Sequence, residues 1–186
     1  MLKLNLGCGQ NKMAGYINVD KYGTYAPDVV WDLEKFPWPF EANSADEIVM
    51  NHSLEHMGAS SDIFFGIIKE LYRVAVPGAK IHINVPHPRG EAFASDPTHV
   101  RPVTPNIFTL FSKKNNAKWQ ETGEPNTPLG MYLDVDFEIA NIQYKLTPHW
   151  QEQLNSGKIT RDDLNHAAMT YYNVIDEIRM IIQAVK

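Results

Sequence analysis

The chain has 186 residues, 44% of them hydrophobic and 21% charged, which suits one globular domain with a full hydrophobic core. Its formal net charge is −5 and its basic residues run no longer than Lys113-Lys114, which excludes sequence-independent nucleic-acid binding as the main activity. A single cysteine, Cys8, excludes an intrachain disulfide, and no apolar stretch approaches the roughly 20 residues of a membrane span. The opening residues carry no charged leader followed by a long apolar run, so a cytoplasmic protein is expected.

Residues 2–6 alternate apolar and polar side chains and stop at Gly7, which predicts a short first strand. A second strand is predicted over 16–19, ending at Asp20, and a third over 29–33, ending around Asp32. Phe36-Pro37-Trp38-Pro39-Phe40 is predicted as an aromatic loop, because its prolines remove backbone donors and fix φ. Residues 45–50 form a fourth predicted strand, followed by the capping side chains of Ser60-Ser61-Asp62. Ile63, Ile67, Leu71 and Val74 then recur on one face of a helix, which Pro77-Gly78 stops. Ile81, Ile83 and Val85 mark a fifth strand, closed by Pro86.

An irregular stretch is expected over 86–105, then a short helix opened by Thr104-Pro105. Residues 113–130 read as polar and turn-rich, and 135–146 as one strand or a hairpin. Thr160 and Asp163 have capping-box spacing, and Ala168, Tyr171, Tyr172, Ile175, Ile178, Ile182 and Val185 keep helical spacing behind them. A C-terminal helix over 160–186 is therefore expected, with its apolar stripe serving the core or a homodimer. The alternation of strands and helices predicts an α/β fold built on a mostly parallel sheet with helices on both faces.

In open sheets of this kind ligands bind beyond the carboxyl ends of the strands. Four successive predicted strand ends carry chemistry: Gly7-Cys8-Gly9-Gln10, Asp20, Asp32-Leu33, and Asn51-His52-Ser53-Leu54-Glu55-His56. Glycines let the backbone approach a ligand closely, one carboxylate suits a ribose diol, and another can accept from an adenine amine. A dinucleotide fingerprint would need a third glycine where Lys12 stands, and an acid about 20 residues on. Asp20 comes too soon after Gly7 for a full helix between the first two strands. A pyrophosphate would lose the helix N-terminus that receives it, whereas a phosphate-free nucleoside ligand would lose little.

These residues resemble the class I S-adenosylmethionine-dependent methyltransferases, with a Rossmann-like sheet and a reversed strand near the C-terminus. Leu4-Asn5-Leu6-Gly7-Cys8-Gly9 is similar to the family's glycine motif, Asn18-Val19-Asp20 to its ribose-binding acid, and Asp32 to Phe40 to its adenine segment. Residues 44–56, ending in Leu54-Glu55-His56, resemble its fourth-strand motif, and Val76-Pro77-Gly78-Ala79 the turn before its fifth strand. The resemblance implies that Gly7, Cys8 and Gly9 line the methionine part of S-adenosylmethionine. It implies that Asp20 holds the ribose, that Asp32 and Leu33 flank the adenine, and that Asn51 and His52 lie near the sulfonium. Asn5 departs from the family's usual acid, Gln10-Asn11 replaces its third-glycine region, and the first helix is shortened, as in relatives whose "GY-NVD" segment Gly15 to Asp20 reproduces.

For chemistry, residues 86–130 are read as a substrate lid, with His87 or His99 as a general base and Arg101 as an anchor for an anionic group. His52 and His56, four residues apart, would share one helix face, but there is no H-E-x-x-H pattern and no thiol besides Cys8, so no metal is expected. The leading function is therefore methyl transfer to a small or sugar-like polar molecule. Adenosine-ligand binding without catalysis and a nicotinamide-dependent oxidoreductase are the alternatives.

Overall fold

The computed structural model describes residues 2–186 of the chain. Seven strands form one sheet: β1 (Leu2–Leu6), β2 (Ile17–Asp20), β3 (Val29–Val30), β4 (Ala45–Asn51), β5 (Ala75–Pro86), β6 (Phe137–Leu146) and β7 (Ile175–Ala184). Their order across the sheet is β3-β2-β1-β4-β5-β7-β6. The pairs β2–β3, β1–β2, β1–β4 and β4–β5 are parallel, while β7 runs antiparallel to both β5 and β6. The chain turns outward in both directions from β1, so the carboxyl ends of β1 and β4 flank the switch point where ligands collect in such sheets.

Helix α1 (Ser61–Val74) begins where the capping residues predict. Ser60 Oγ accepts the Ile63 N–H at 3.3 Å. Its buried stripe is Phe64, Ile67, Ile68, Leu71 and Val74, joined by one acid, Glu70. The stripe packs in a core with Leu4, Leu6, Ile48, Met50, Ile81 and Ile83 from the central strands. The helix ends ahead of Pro77-Gly78, which fall instead in an irregular start to β5, where Gly78 adopts φ +79°.

Between β5 and β6 lie α2 (Glu91–Ala94), α3 (Pro105–Thr109), α4 (Lys113–Thr122) and α5 (Leu129–Leu133). Helix α3 carries its proline in the first turn, as expected. Helix α4 corrects the turn-rich reading of 113–130. Only Asn116 of α4 is buried, so it has no apolar periodicity to read, and Ser112 caps it by accepting the Asn115 N–H. Residues 135–146 hold one strand, β6, whose hairpin partner is β7. Helices α6 (Pro148–Asn155) and α7 (Arg161–Thr170) fill the connection between them.

The largest correction concerns the C-terminal helix expected over 160–186. The capping box is present, with Asp163 N–H donating to Thr160 Oγ1 and Thr160 N–H donating to Asp163. The helix it opens stops at Thr170, and residues 175–184 are β7, with β5 on one side and β6 on the other. Ile178, Met180, Ile182 and Ala184 are buried at alternate positions. The isoleucines of this segment satisfy both a helical and a strand period, and neighbours decide between them. The helical stripe expected to serve the core or a homodimer is therefore absent, and Ile178 and Ile182 reach the core from the sheet instead. The third strand is likewise shorter than expected, two residues rather than five. No helix among the described residues is long and apolar enough to cross a membrane.

Candidate functional site

The ends of β1, β2 and β4 are tied together before any ligand is considered. Gly7 and Cys8 N–H both donate to the Val19 carbonyl, at 2.9 and 3.0 Å, which pins the first turn to β2. Ser53 Oγ donates to the Leu6 carbonyl at 2.9 Å, which pins it to the end of β4. Gly7 sits at φ +71°, and a Cβ there would lie 2.5 Å from Ser53 Cβ. Only glycine meets both conditions. Gly7→Ala is expected to misplace the turn and lower Tm by roughly 4–12 °C, corresponding to about 2–3 kcal/mol. Thermal unfolding followed by circular dichroism checks this, and an unchanged Tm would contradict the packing.

Residues 7–16 contain no helix. Two buried asparagines support the loop that stands in its place. Asn5 Nδ2 donates to the Asn11 carbonyl and to Asn18 Oδ1, both at 2.9 Å, and Asn18 Oδ1 also accepts the Met13 N–H at 2.7 Å. Asn18 in turn donates its N–H and its side-chain amide to Asp28. The residue that departs from the family's acid thus supports the loop that departs from the family's helix.

Asp20 is 8% exposed, and both its oxygens are held by backbone. Gly9 N–H donates to Oδ2 at 2.8 Å and Tyr22 N–H to Oδ1 at 2.9 Å. A carboxylate offers about four lone-pair directions, so two remain for a ligand. Asp32 is oriented in the same manner, accepting the Glu34 N–H on Oδ1 at 3.1 Å. A cleft of about 450 Å³ joins these groups, lined by Gly7, Gly9, Asp20, Asp32, Leu33 and His52 from the sequence reading. That volume lies within the roughly 300–1,000 Å³ of small-molecule sites. A Cβ on Gly9 would meet nothing within 4 Å, so this backbone is open on its side-chain face.

Cys8, Asn51, His87, His99 and Arg101 do not line the cleft. Cys8 is buried, and burial pushes its thiol up from the ordinary value, which keeps it protonated. Asn51 Oδ1 accepts from Asn84 Nδ2 at 3.0 Å across the ends of β4 and β5. His87 Nδ1 accepts the Arg89 N–H at 3.2 Å, so the proton of the neutral ring sits on Nε2 and that nitrogen is a donor, not a base. Burial, and then the Arg89 charge, pull this imidazole below its ordinary pKa. Arg101 stacks on the Phe64 ring at 4.3 Å and donates from Nε to the Gly58 carbonyl at 2.7 Å, which docks its segment on the turn after β4. His99 lies beside it and is nearly buried, its ring stacked on Phe93.

The cleft also takes residues beyond those given a role from the sequence, of which Tyr22, Tyr25, Met57 and Thr98 lie outside every predicted strand end. Tyr22, Tyr25 and Trp31 supply aromatic walls, and Lys21, Glu34, Ser53, His56, Met57 and Thr98 complete the lining. The tyrosines follow Asp20 directly, so extending the strand-end rule by a few residues would have found them. His52 adopts φ +49° and lies between two acids: its Nε2 is 2.9 Å from Glu177 and its Nδ1 is 3.4 Å from Glu55. The Glu55 carboxylate raises its pKa most, burial opposes the rise, and Glu177 adds to it. Glu177 comes from β7, 125 residues away along the chain, with no local signal to announce it.

No protein-family model matches the chain, and a sequence search of curated proteins finds no match. Solved structures do match. A SAM-dependent methyltransferase from Archaeoglobus fulgidus superposes with a TM-score of 0.63 at 17% identity, over 98% of this chain and 85% of that one. A SAM-dependent methyltransferase from Methanosarcina mazei gives 0.56 at 16% identity, over 98% and 92%. The [4+2]-cyclase SpnF gives 0.54 at 14% identity, over 98% and 75%. At these identities the likeness is one of fold. The strand order and the reversed β7 define the same class: this chain has the Rossmann-like fold of the class I S-adenosylmethionine-dependent methyltransferases.

Proposed function

We propose that the chain is an S-adenosylmethionine-dependent methyltransferase acting on a small or sugar-like polar substrate. The observation that carries this reading is the convergence of Gly9, Asp20 and Asp32 on one cleft whose first turn leads into a loop instead of a helix. Without a helix N-terminus the site is poorly suited to a pyrophosphate and well suited to a nucleoside with none.

The residues present fit the cofactor. Asp20, held still by two backbone donors, has acceptor positions left for the two ribose hydroxyls. Asp32 and the Leu33 backbone would flank the adenine, with Trp31 and the tyrosines as apolar walls. Gly7 and Gly9 give the methionine portion room to pass close to the main chain. His52 would stand near the sulfonium end. When bound, S-adenosylmethionine supplies a methyl group on a positively charged sulfur, an electrophile that needs alignment more than activation. Residues 86–130 would act as the substrate lid, a role supported by Thr98 at the cleft wall.

Isothermal calorimetry with S-adenosylmethionine, S-adenosylhomocysteine and NAD tests the site. Binding of the first two and not the third is expected, and preference for NAD would overturn the reading. A second reading, a bound cofactor without methyl transfer, is favoured by one observation: a [4+2]-cyclase shares the fold. Release of S-adenosylhomocysteine on a panel of hydroxylated and amino metabolites separates the two.

A further inference from the structure

A 3-10 turn over Leu54–His56 follows β4, and the segment 96–101 docks on it. Val100 and Arg101 N–H donate to the Glu55 carbonyl at 2.9 and 3.2 Å. Where they meet lies a set of donors that cofactor binding does not use. Glu55 is 1% exposed, and neither of its carboxylate oxygens has a hydrogen-bond partner among the described residues. A buried carboxylate without hydrogen bonds costs several kcal/mol, so the site calls for a positive partner. His52, a cation only when protonated, is turned to Glu177 at 2.9 Å and stands 3.4 Å from Glu55, beyond the length of a good hydrogen bond.

One oxygen of Glu55, one ring nitrogen of His56 and one of His99 lie within 4.8 Å of one another. The hydrogen bonds on the rings fix their tautomers. His99 Nδ1 faces the Phe93 carbonyl at 2.8 Å, and a carbonyl only accepts, so Nδ1 carries the proton. His56 Nδ1 faces Thr98 Oγ1 at 2.9 Å, and that hydroxyl spends its one proton on Asp96 Oδ1 at 2.6 Å. His56 Nδ1 must therefore donate as well. Both neutral rings keep an unprotonated Nε2, with Nδ1–H tied to an acceptor behind it. That is the outer-shell arrangement found behind metal-binding histidines.

We propose that Glu55, His56 and His99 form a site for a borderline divalent cation of the Zn²⁺ type. Two imidazole nitrogens and one carboxylate suit zinc and its transition-metal neighbours, whereas Mg²⁺ and Ca²⁺ favour all-oxygen sets. Ligands at about 2.0–2.2 Å from one ion stand about 3.3 Å apart in a tetrahedron, so the set closes by roughly 1.5 Å at its widest. The ion neutralises Glu55 and ties the turn after β4 to the 96–101 segment. His56 and Thr98 also line the cleft, so the ion sits at its rim, with a coordination position left for water or a substrate oxygen.

Untagged protein, stripped with a chelator and titrated with Co²⁺, tests the site. One ion per chain is expected, with visible ligand-field bands that Zn²⁺ abolishes by displacement, and Zn²⁺ should raise Tm. His56→Ala, His99→Ala and Glu55→Gln should each weaken Co²⁺ binding by at least about tenfold. Glu55→Gln removes a buried charge that no hydrogen bond satisfies, so its metal-free Tm should equal or exceed that of the wild type, which separates ligand loss from misfolding. His166→Ala, in exposed helix α7, should bind as the wild type does. Absence of stoichiometric binding by the wild type would overturn the assignment. So would full affinity in both His99→Ala and Glu55→Gln, or loss in His52→Ala with His99→Ala unaffected. S-adenosylmethionine calorimetry on the same stripped protein reads the cofactor site separately, so failure of one reading leaves the other measurable.

Discussion

Asp20→Ala is expected to weaken S-adenosylmethionine binding at least tenfold, and to do so through two losses. The first is the acceptor for the ribose diol, since a ligand hydroxyl left without a partner in a closed site costs about 1–3 kcal/mol. The second is the anchor of the cleft wall, because the Asp20 carboxylate also fixes the Gly9 and Tyr22 backbones. Asp20→Asn is not a benign control. Each carboxylate oxygen already accepts a backbone N–H, so the amide group of asparagine would face a donor whichever way it turned. Calorimetry on both variants should show weakened affinity, with unfolding curves separating lost ligand contact from lost order. Wild-type affinity in Asp20→Ala would remove the ribose site from β2.

Glu70→Ala is expected to destabilise the fold by about 3 kcal/mol, lowering Tm by roughly 6–12 °C. Glu70 is buried on α1. It accepts the Trp38 N–H at 2.6 Å and two guanidinium donors of Arg73 at 2.7 Å each. Arg73 also donates to the Trp38 and Phe40 carbonyls, at 3.2 and 2.9 Å. The pair thereby satisfies the Trp38 N–H and the Trp38 and Phe40 carbonyls of the proline-rich loop. Trp38 Nε1 donates to the Leu33 carbonyl at 3.0 Å, which carries the effect to the cleft wall. Removing Glu70 leaves the Trp38 N–H without its acceptor and Arg73 without its counter-charge, while the two carbonyl contacts and the partial exposure of Arg73 keep the loss at the lower end for such pairs.

The same pair sets an acid dependence. Burial alone would push the Glu70 carboxyl up, but Arg73 and the Trp38 N–H outweigh it and hold the pKa below its ordinary value of 4.5. A folded-state pKa below the unfolded one gives stability that is present above the unfolded value and lost as pH falls through the folded one. The difference in Tm between wild type and Glu70→Gln should therefore be constant near neutrality and shrink below about pH 4.5. A difference that persisted in acid would point to packing rather than to charge.

Much of the first half of the molecule was legible in sequence because its signals are local. β1 runs directly into Gly7, β2 ends at Asp20 and β4 at Asn51, and Ser60 caps α1 where its apolar stripe begins. Gly7, Gly9, Asp20, Asp32, Leu33 and His52 were named from strand ends, and they share one cleft. Asn51 closes β4 and Cys8 stands in the turn after β1, but Asn51 pairs with Asn84 and Cys8 is buried. His87 and Arg101 carry suggestive chemistry in a loop. Their hydrogen bonds to Arg89 and Gly58 were invisible without the fold.

The second half depended on neighbours. A run of isoleucines at 175, 178, 181 and 182 has no preferred period of its own, and it became β7 because β5 and β6 present open edges on either side. The pairing of His52 with Glu177 follows from that strand, as the gathering of Glu55, His56 and His99 follows from the docking of 96–101. Sequence alone determined what hydrogen bonds and caps can specify within a few residues: the strand ends, the glycine turn, and the acids beside it. Tertiary structure decided which side chains meet across the sheet, because contacts between distant segments depend on packing that no short window contains.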